Sequence, residues 1–510
     1  MERGRARRAR FGVRTVLTRG ESDRENESVP VIDPPLVSIA DLADLADGSA
    51  GGGSAGGGSA GGGSGVASLD DTGQVRDPLV LVALDGTAPP AAVARAADRV
   101  RAGGRLYVGV ATEPPPETLR PLVAALDTTL LAATIASTSR GGPDYQPTAA
   151  KHQTTSAEHQ TTCPAAAAAH HQTTGPEHPA ATPDHQTTRP EHPAATPDHQ
   201  TTRPEHPAAT PDHQTTGPEH PAAAAHHQTT GPEHSAAAPQ HQTTRLGPGH
   251  QLWVPVADVE GEVAALAAVV ASVPRAAVVL GQVLRATETL PVAAALDVES
   301  FAYSMLLGGP EFRTWFDERG ERSLPGLVDE PVLVRRDGSR LMITLNRPER
   351  RNAYGRQLRD ALADALRIAL LDPGVERVVL DGAGPCFCAG GDLAEFGTTP
   401  DLATAHFVRT QGGAGLLLSA LKDRAEVHLH GPCVGAGVEL PAFAGAVIAA
   451  AGTTFRLPEV GMGLIPGAGG TVSIPRRIGR WRTLYLALTG RPLDAETALG
   501  WGLVDAVRPA

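Results

Sequence analysis

"FRLPEVGMGLIPGAGG", residues 455–470, sets a single carboxylate, Glu459, in a run of glycine, proline and apolar side chains relieved otherwise by Arg456 alone. Burying an unpaired carboxylate is costly, so an acid in such company is either hydrogen-bonded or kept for chemistry. Upstream, "GVELP" (437–441) repeats the arrangement around Glu439, and "AFAGAVIAAAG" (442–452) follows it with the apolarity of a protein interior. Two such acids in one region call for a chemical explanation.

Working outward, two glycine-rich stretches follow strand-like runs: "CAGGDL" (388–393) and "CVGAGVEL" (433–440). Neither is G-x-x-x-x-G-K-[ST] or G-x-G-x-x-G, which argues against a phosphate cradle. Glycine lets backbone N–H groups approach a ligand closely, and a helix starting after the second stretch would add its positive end. Two converging N–H groups can stabilise negative charge on a thioester oxygen. Around these stretches "VLVRRDGSRLMITLNRP" reads as two strands about an Asp-Gly turn. "GRQLRDALADALRIALLDPG" reads as a helix, and "VERVVLDGAG" as a returning strand. The alternation predicts a parallel α/β arrangement.

At this point the residues resemble a known family. "NRPERRNAY", "PCFCAGGDLAEF", "HGPCVGAGVEL", "FRLPEVGMGLIPGAGGTVSIPRRIG" and "ALTGRPLDAETALGWGLVD" are similar to the crotonase superfamily of enoyl-CoA hydratases and isomerases, over roughly residues 330–508. The resemblance implies a spiral of ββα turns and an acyl-CoA thioester as substrate, with no separate cofactor and no metal. Carried over by position, the oxyanion N–H groups fall on Gly391 and Ala436, and the catalytic glutamates on Glu439 and Glu459. Glu459 would be the main acid/base at the α-carbon, with Glu439 holding and activating water; two carboxylates sharing one water can serve as base and acid in hydration. Arg350, Arg351, Asn352 and Ala353 lie where relatives meet the nucleotide end of coenzyme A. Ala389, Gly390 and Asp392, which flank the first oxyanion position, are expected with them to line the substrate and coenzyme A site. Two departures stand out. Gly445 occupies a place where hydratases usually carry an acid, and the chain ends at Ala510 without the helical tail that packs on the core and aids oligomer formation in relatives. Residues 258–320, including "ALDVESFAYSMLLGGPEFRTWF", resemble that tail placed ahead of the core, and 78–135 faintly resemble a degenerate first copy.

The rest of the 510 residues divides by composition. Residues 1–66 are expected to be a disordered tail and a Gly/Ser linker. Eight arginines among the first thirty residues are accompanied by five acids, which does not fit a transit peptide. Residues 67–140 read as an α/β region, with strands in "LVLVAL" (79–84) and "RLYVGVA" (105–111). Residues 141–249 carry a 14-residue HQTT repeat and almost no large apolar side chain, and 16 of the 19 histidines lie between His152 and His250, so a disordered insert is expected rather than a metal tract. Residues 250–327 read as helices with no clustered acid, base or nucleophile, hence no chemistry. An aromatic set there (Phe301, Tyr303, Phe312, Trp315, Phe316) suits burial. Residues 328–510 form the crotonase-like core.

The net charge of −12 argues against a nucleic-acid or anionic-membrane partner. Four cysteines (Cys163, Cys386, Cys388, Cys433) make neither a disulfide framework nor a zinc spacing, which points to a reducing cytoplasm. The resulting expectation is an α/β hydratase-type lyase, soluble and homo-oligomeric. A double-bond isomerase or another crotonase reaction is the alternative, and a non-catalytic acyl-CoA-binding or assembly subunit is a third.

Overall fold

Period-2 alternation builds the first sheet. In the computed structural model, which describes residues 34–44, 77–84, 88–132, 252–320 and 322–509, Leu79, Leu81, Leu106 and Val108 face one core while Val80, Val82 and Tyr107 face another. Neighbouring residues of a strand point to opposite faces, so a strand that is apolar throughout must be covered on both. The strands are β1 (Leu36–Val37), β2 (Leu79–Ala83), β3 (Leu106–Ala111), β4 (Thr128–Ala132) and β5 (Val254–Val256), all parallel and in sequential order. Helices α1 (Ile39–Asp44), α2 (Pro90–Ala102) and α3 (Arg120–Ala125) cover the face of Val80 and Val82. A sequential order has no point where the winding reverses, so this sheet lacks the crevice that binds ligands in doubly wound folds. The HQTT repeat falls between β4 and β5, outside the described residues.

Four helices follow: α4 (Val259–Ser272), α5 (Pro274–Thr287), α6 (Val292–Leu307) and α7 (Pro310–Arg319). Asp258 caps α4 by accepting from the Gly261 N–H, 3.0 Å. Glu311 on α7 caps α5, accepting from the N–H groups of Arg275 (2.8 Å) and Ala276 (3.0 Å). Among the described residues no single helix is long and apolar enough to cross a membrane.

The core begins with the hairpin of β6 (Val332–Asp337) and β7 (Arg340–Leu345), turning at Gly338 with φ 60°. After α8 (Arg356–Leu371) comes β8 (Arg377–Gly382), then α9 (Leu402–Gly412) and α10 (Ala414–Ala420). Thereafter strands come in pairs: β9 (Ala425–Leu429) with β10 (Pro432–Val434), then β11 (Ala446–Ala450) with β12 (Thr454–Arg456). The first of each pair joins a six-stranded sheet and the second a three-stranded one. The larger sheet runs β14-β11-β9-β8-β7-β6, with β14 at Ala506–Arg508; the smaller runs β10-β12-β13, with β13 at Leu493–Asp494. Short helices α11 (Ala436–Glu439) and α12 (Gly470–Ser473) lead to α13 (Pro475–Thr489) and α14 (Ala495–Trp501). Paired strands and a helix, repeated with each pair split between two sheets, make the ββα spiral.

One apolar core runs from the first sheet through α4–α7 to Val504 at the far end of the spiral. The join is also polar. Arg480 on α13 donates to the carbonyl oxygens of Leu126 (2.7 Å) and Ala125 (3.0 Å), at the C-terminal end of α3, where a cation is favoured. Tyr485 on the same helix donates to Glu262 of α4, 3.0 Å. Three members of the aromatic set, Phe312, Trp315 and Phe316, pack together, whereas Phe301 is 60% exposed. It lies on the outer face of α6, stacked on His406 with ring centroids 4.3 Å apart, so it covers α9 instead of entering the core.

Candidate active site

Both acids of the opening stretches sit just past the ends of two neighbouring parallel strands. β10 and β12 pair with Val434 opposite Arg456. Glu439 follows β10 by one turn, and Glu459 opens a short 3-10 helix three residues beyond β12. Gly435, between β10 and α11, has φ 48° and ψ −118°, a backbone that a side chain strongly disfavours. A Cβ there would stand 2.4 Å from Glu459 Oε1 and 3.6 Å from the Gly390 Cα. The two glycine-rich loops and one carboxylate thus meet at a single point. They are stitched together by the Val434 N–H, which donates to the Cys388 oxygen at 3.1 Å.

At that point two backbone donors are left over. Among the described residues, the N–H groups of Gly391 and Ala436 donate to no protein acceptor. Gly391 bridges Tyr354 in a pattern that uses the Gly390 oxygen and the Asp392 N–H and passes over its own N–H. Ala436 is the first residue of α11, where helical N–H groups have no internal partner. The helix expected after the glycines is a single turn. Pro441 has no N–H to continue it, so the N–H groups themselves carry the electrostatics and a macrodipole contributes little.

Glu439 is buried, and its Oε2 accepts from the N–H groups of Ala468 (2.7 Å) and Gly470 (2.9 Å). Burial, followed by the charges of Glu459 and Glu299, holds its carboxyl well above the usual range. Glu459 is pushed up to about 7, chiefly by burial, and its Oε2 is buried with no partner among the described residues. A carboxyl that keeps its proton to neutrality, with one oxygen unspent, is suited to passing a proton.

The residues placed at the nucleotide end divide into two kinds. Arg350 donates to both oxygens of Asp392 (2.9 and 2.6 Å), and Asp392 also accepts from the Ala394 N–H at 3.0 Å. This bidentate pair anchors the loop that carries Gly391. Asn352 is fully buried. Its Oδ1 accepts from the Arg347 N–H (2.7 Å), and its Nδ2 donates to the oxygens of Ala383 (2.9 Å), Cys386 (3.1 Å) and Phe387 (3.0 Å). Its side chain is therefore spent inside the protein. Arg351 is exposed, while its carbonyl accepts from the Ala389 N–H at 2.9 Å, which brings Ala353, Ala389 and Gly390 to one lip of the site. Gly445 also has a reason: a Cβ there would lie 2.3 Å from the Lys422 oxygen, so the acid usual at this place cannot fit.

One buried carboxyl beside the site was not singled out in the sequence. The helices of 250–327 were expected to carry no chemistry; from them α6 sends Glu299 into the interior, 2% exposed. Its Oε1 accepts from the Gly469 N–H (2.8 Å), and its Oε2 from the Thr471 N–H (2.9 Å) and hydroxyl (2.7 Å). Burial raises its carboxyl to about 7. The signal was available in "ALDVESFAY", a glutamate in an apolar helix, the same anomaly that marks Glu439 and Glu459.

The profile of the family described as Enoyl-CoA hydratase/isomerase matches residues 335–510. "Probable enoyl-CoA hydratase echA8" of Mycobacterium bovis is 36% identical over 183 residues, covering 36% of this chain and 70% of the relative. The chain belongs to the enoyl-CoA hydratase/isomerase family. Its α/β spiral is that of the crotonase superfamily, and its chemistry is of the crotonase acyl-CoA type. Other relatives differ in reaction. The "2,3-dehydroadipyl-CoA hydratase" of Escherichia coli is 34% identical over 179 residues (35% of this chain, 69% of that protein). The "1,2-epoxyphenylacetyl-CoA isomerase" of the same organism is 36% identical over 169 residues (32% and 64%). Among solved structures, an enoyl-CoA hydratase subunit of Geobacillus kaustophilus aligns at 30% identity, TM-score 0.33, covering 35% of this chain and 68% of its own. In this member of the enoyl-CoA hydratase/isomerase family, the matched region holds both glutamates and both glycine-rich loops; Glu299 lies outside it.

Proposed function

We propose that the protein adds water across the α,β double bond of an enoyl-CoA thioester, or removes it from the hydroxyacyl product. The observation that carries this reading is the meeting of Glu439 and Glu459 with two unspent N–H groups at the ends of β10 and β12. The thioester oxygen is received by the N–H groups of Gly391 and Ala436, which gain in strength as negative charge grows on it. Glu439, held by the 468–470 backbone, orients a water at the β-carbon. A carboxylate takes the proton as the water oxygen bonds to that carbon. The resulting enolate collapses by taking a proton at the α-carbon from Glu459, so atoms and charge balance over the two steps. The two carboxyls titrate as a unit, which lets one be protonated while the other is not. In this reading the exposed side chain of Arg351 meets a phosphate of coenzyme A.

Isomerisation is the second reading, favoured by the relative named as an isomerase and by the single unpartnered oxygen of Glu459, since one carboxyl can move a proton between two carbons. The deciding experiment follows loss of enoyl-thioester absorbance with crotonyl-CoA and longer substrates, with products separated by chromatography. Hydroxyacyl-CoA is expected; a shifted double bond without water added would overturn hydration in favour of isomerisation.

A further inference from the structure

The loop 468–471 is gripped from two sides by interleaved contacts. Glu439 takes the N–H groups of Ala468 and Gly470, and Glu299 takes those of Gly469 and Thr471. Four successive N–H groups thus alternate between two carboxylates that belong to different parts of the chain, α11 and α6. Neither acid can move without moving the strip of backbone that fixes the other. The geometry points to Glu299 as a positioning residue for the reaction: through this strip it sets where the Glu439 carboxylate stands, and its charge helps decide which of three neighbouring carboxyls holds a proton. The inference rests on the acid/base reading of Glu439 and Glu459.

The surroundings of Glu299 support both halves. Its direct partners, the two N–H groups and the Thr471 hydroxyl, stabilise the anion. Arg409 of α9 also favours the anion, but its side chain is engaged by Ser300, donating to the hydroxyl at 3.0 Å and to the carbonyl at 3.2 Å. Facing it with like charge are Glu439 from α11 and Glu459 beyond β12, and Tyr303 of its own helix lies within their field. Burial raises Glu299 to about 7, so it brings its charge to the loop, and raises the proton affinity of the pair, from neutral pH upward.

Two variants of the full-length protein separate reach from charge. Glu299→Gln keeps the length and removes the charge; Glu299→Asp keeps the charge and falls a methylene short of the strip. In Glu299→Asp, kcat on the turned-over acyl-CoA should drop about tenfold or more, as sub-ångström misplacement of a reacting group does, with KM within about threefold of wild type. In Glu299→Gln, the infrared bands of the Glu439 and Glu459 carboxyls, each assigned by difference against Glu439→Gln and Glu459→Gln so that Glu299's own band is not counted, should titrate at lower pH than in wild type, because a repelling charge is gone. That titration needs no substrate, so it stands even if hydration proves to be the wrong reaction. Wild-type kcat in Glu299→Asp, or an unmoved carboxyl titration in Glu299→Gln, would overturn the inference; a loss of kcat and thermal stability in both variants with the titration unmoved would reduce Glu299 to a structural clasp and overturn it equally.

Discussion

In the proposed reaction Glu459 carries the proton, and the burial that raises its carboxyl also costs stability, so both can be tested by one substitution. Glu459→Gln preserves shape and removes the proton carrier, so turnover should fall by about 10²–10⁴-fold with acyl-CoA affinity nearly retained, measured as kcat against the Kd of an unreactive acyl-CoA. The same variant changes the pH dependence of folding. In the folded chain Glu459 keeps its proton to about 7, whereas an unfolded glutamate releases it near 4.5. Between those values the unfolded state binds fewer protons, so the stability linked to this proton is complete below the lower value and is lost as pH rises through the upper one. Glu459→Gln should therefore gain on wild type between pH 4.5 and 7, by on the order of 3 kcal/mol, and level off above. Urea midpoints at pH 5 and 8 test this; parallel profiles would contradict the proton affinity assigned to Glu459. Cys388 is a contrast in the same site, since burial pushes its thiol to about 12 and leaves it inert as a nucleophile.

The elements around the site were legible wherever local pattern decides them. Apolar runs located β2, β3 and β8, the Asp-Gly pair located the β6–β7 turn, and the glycine and glutamate motifs located both loops. Tertiary context decided the rest. Pro441 cut the expected helix to one turn, because a missing N–H outweighs the propensity of its neighbours. Asn352, which matched by position, turned out to be spent on three carbonyl oxygens, a role that only the folded loop reveals. Glu299 stood out locally as an acid in an apolar helix, but its partner Gly469 lies 170 residues away, and that pairing is beyond the reach of any local pattern. The turn at Gly435 gives a test at this scale. Gly435→Ala requires a side chain at φ 48°, ψ −118° and places a methyl against Glu459 Oε1. Strain of about 1–3 kcal/mol is expected, with kcat falling at least tenfold while circular dichroism stays native. Undiminished kcat would show that the carboxylate of Glu459 is free to stand elsewhere.

At the scale of the whole molecule, the spiral and the segment before it share one hydrophobic core, closed by Arg480, Tyr485 and Glu299. A 328–510 fragment would expose the faces that α4–α7 and the first sheet cover, and open apolar faces of that kind aggregate. We expect it to be insoluble or inactive alone and recovered on co-expression with 67–327, as read by soluble yield and turnover; a soluble, fully active fragment would mean the preceding segment is dispensable. The order of the chain also has a consequence in time. A ribosome delivers Glu299 170 residues before Gly469, its first partner in the strip. At about 5–20 residues per second that is roughly 10 to 35 s during which a helix bearing a carboxylate destined for the interior waits, apolar face open, for the backbone that will receive it. This protein makes the clasp before the thing it closes on, so its helices depend on the nascent first sheet, or on a chaperone, to hold them until the 468–471 loop is made.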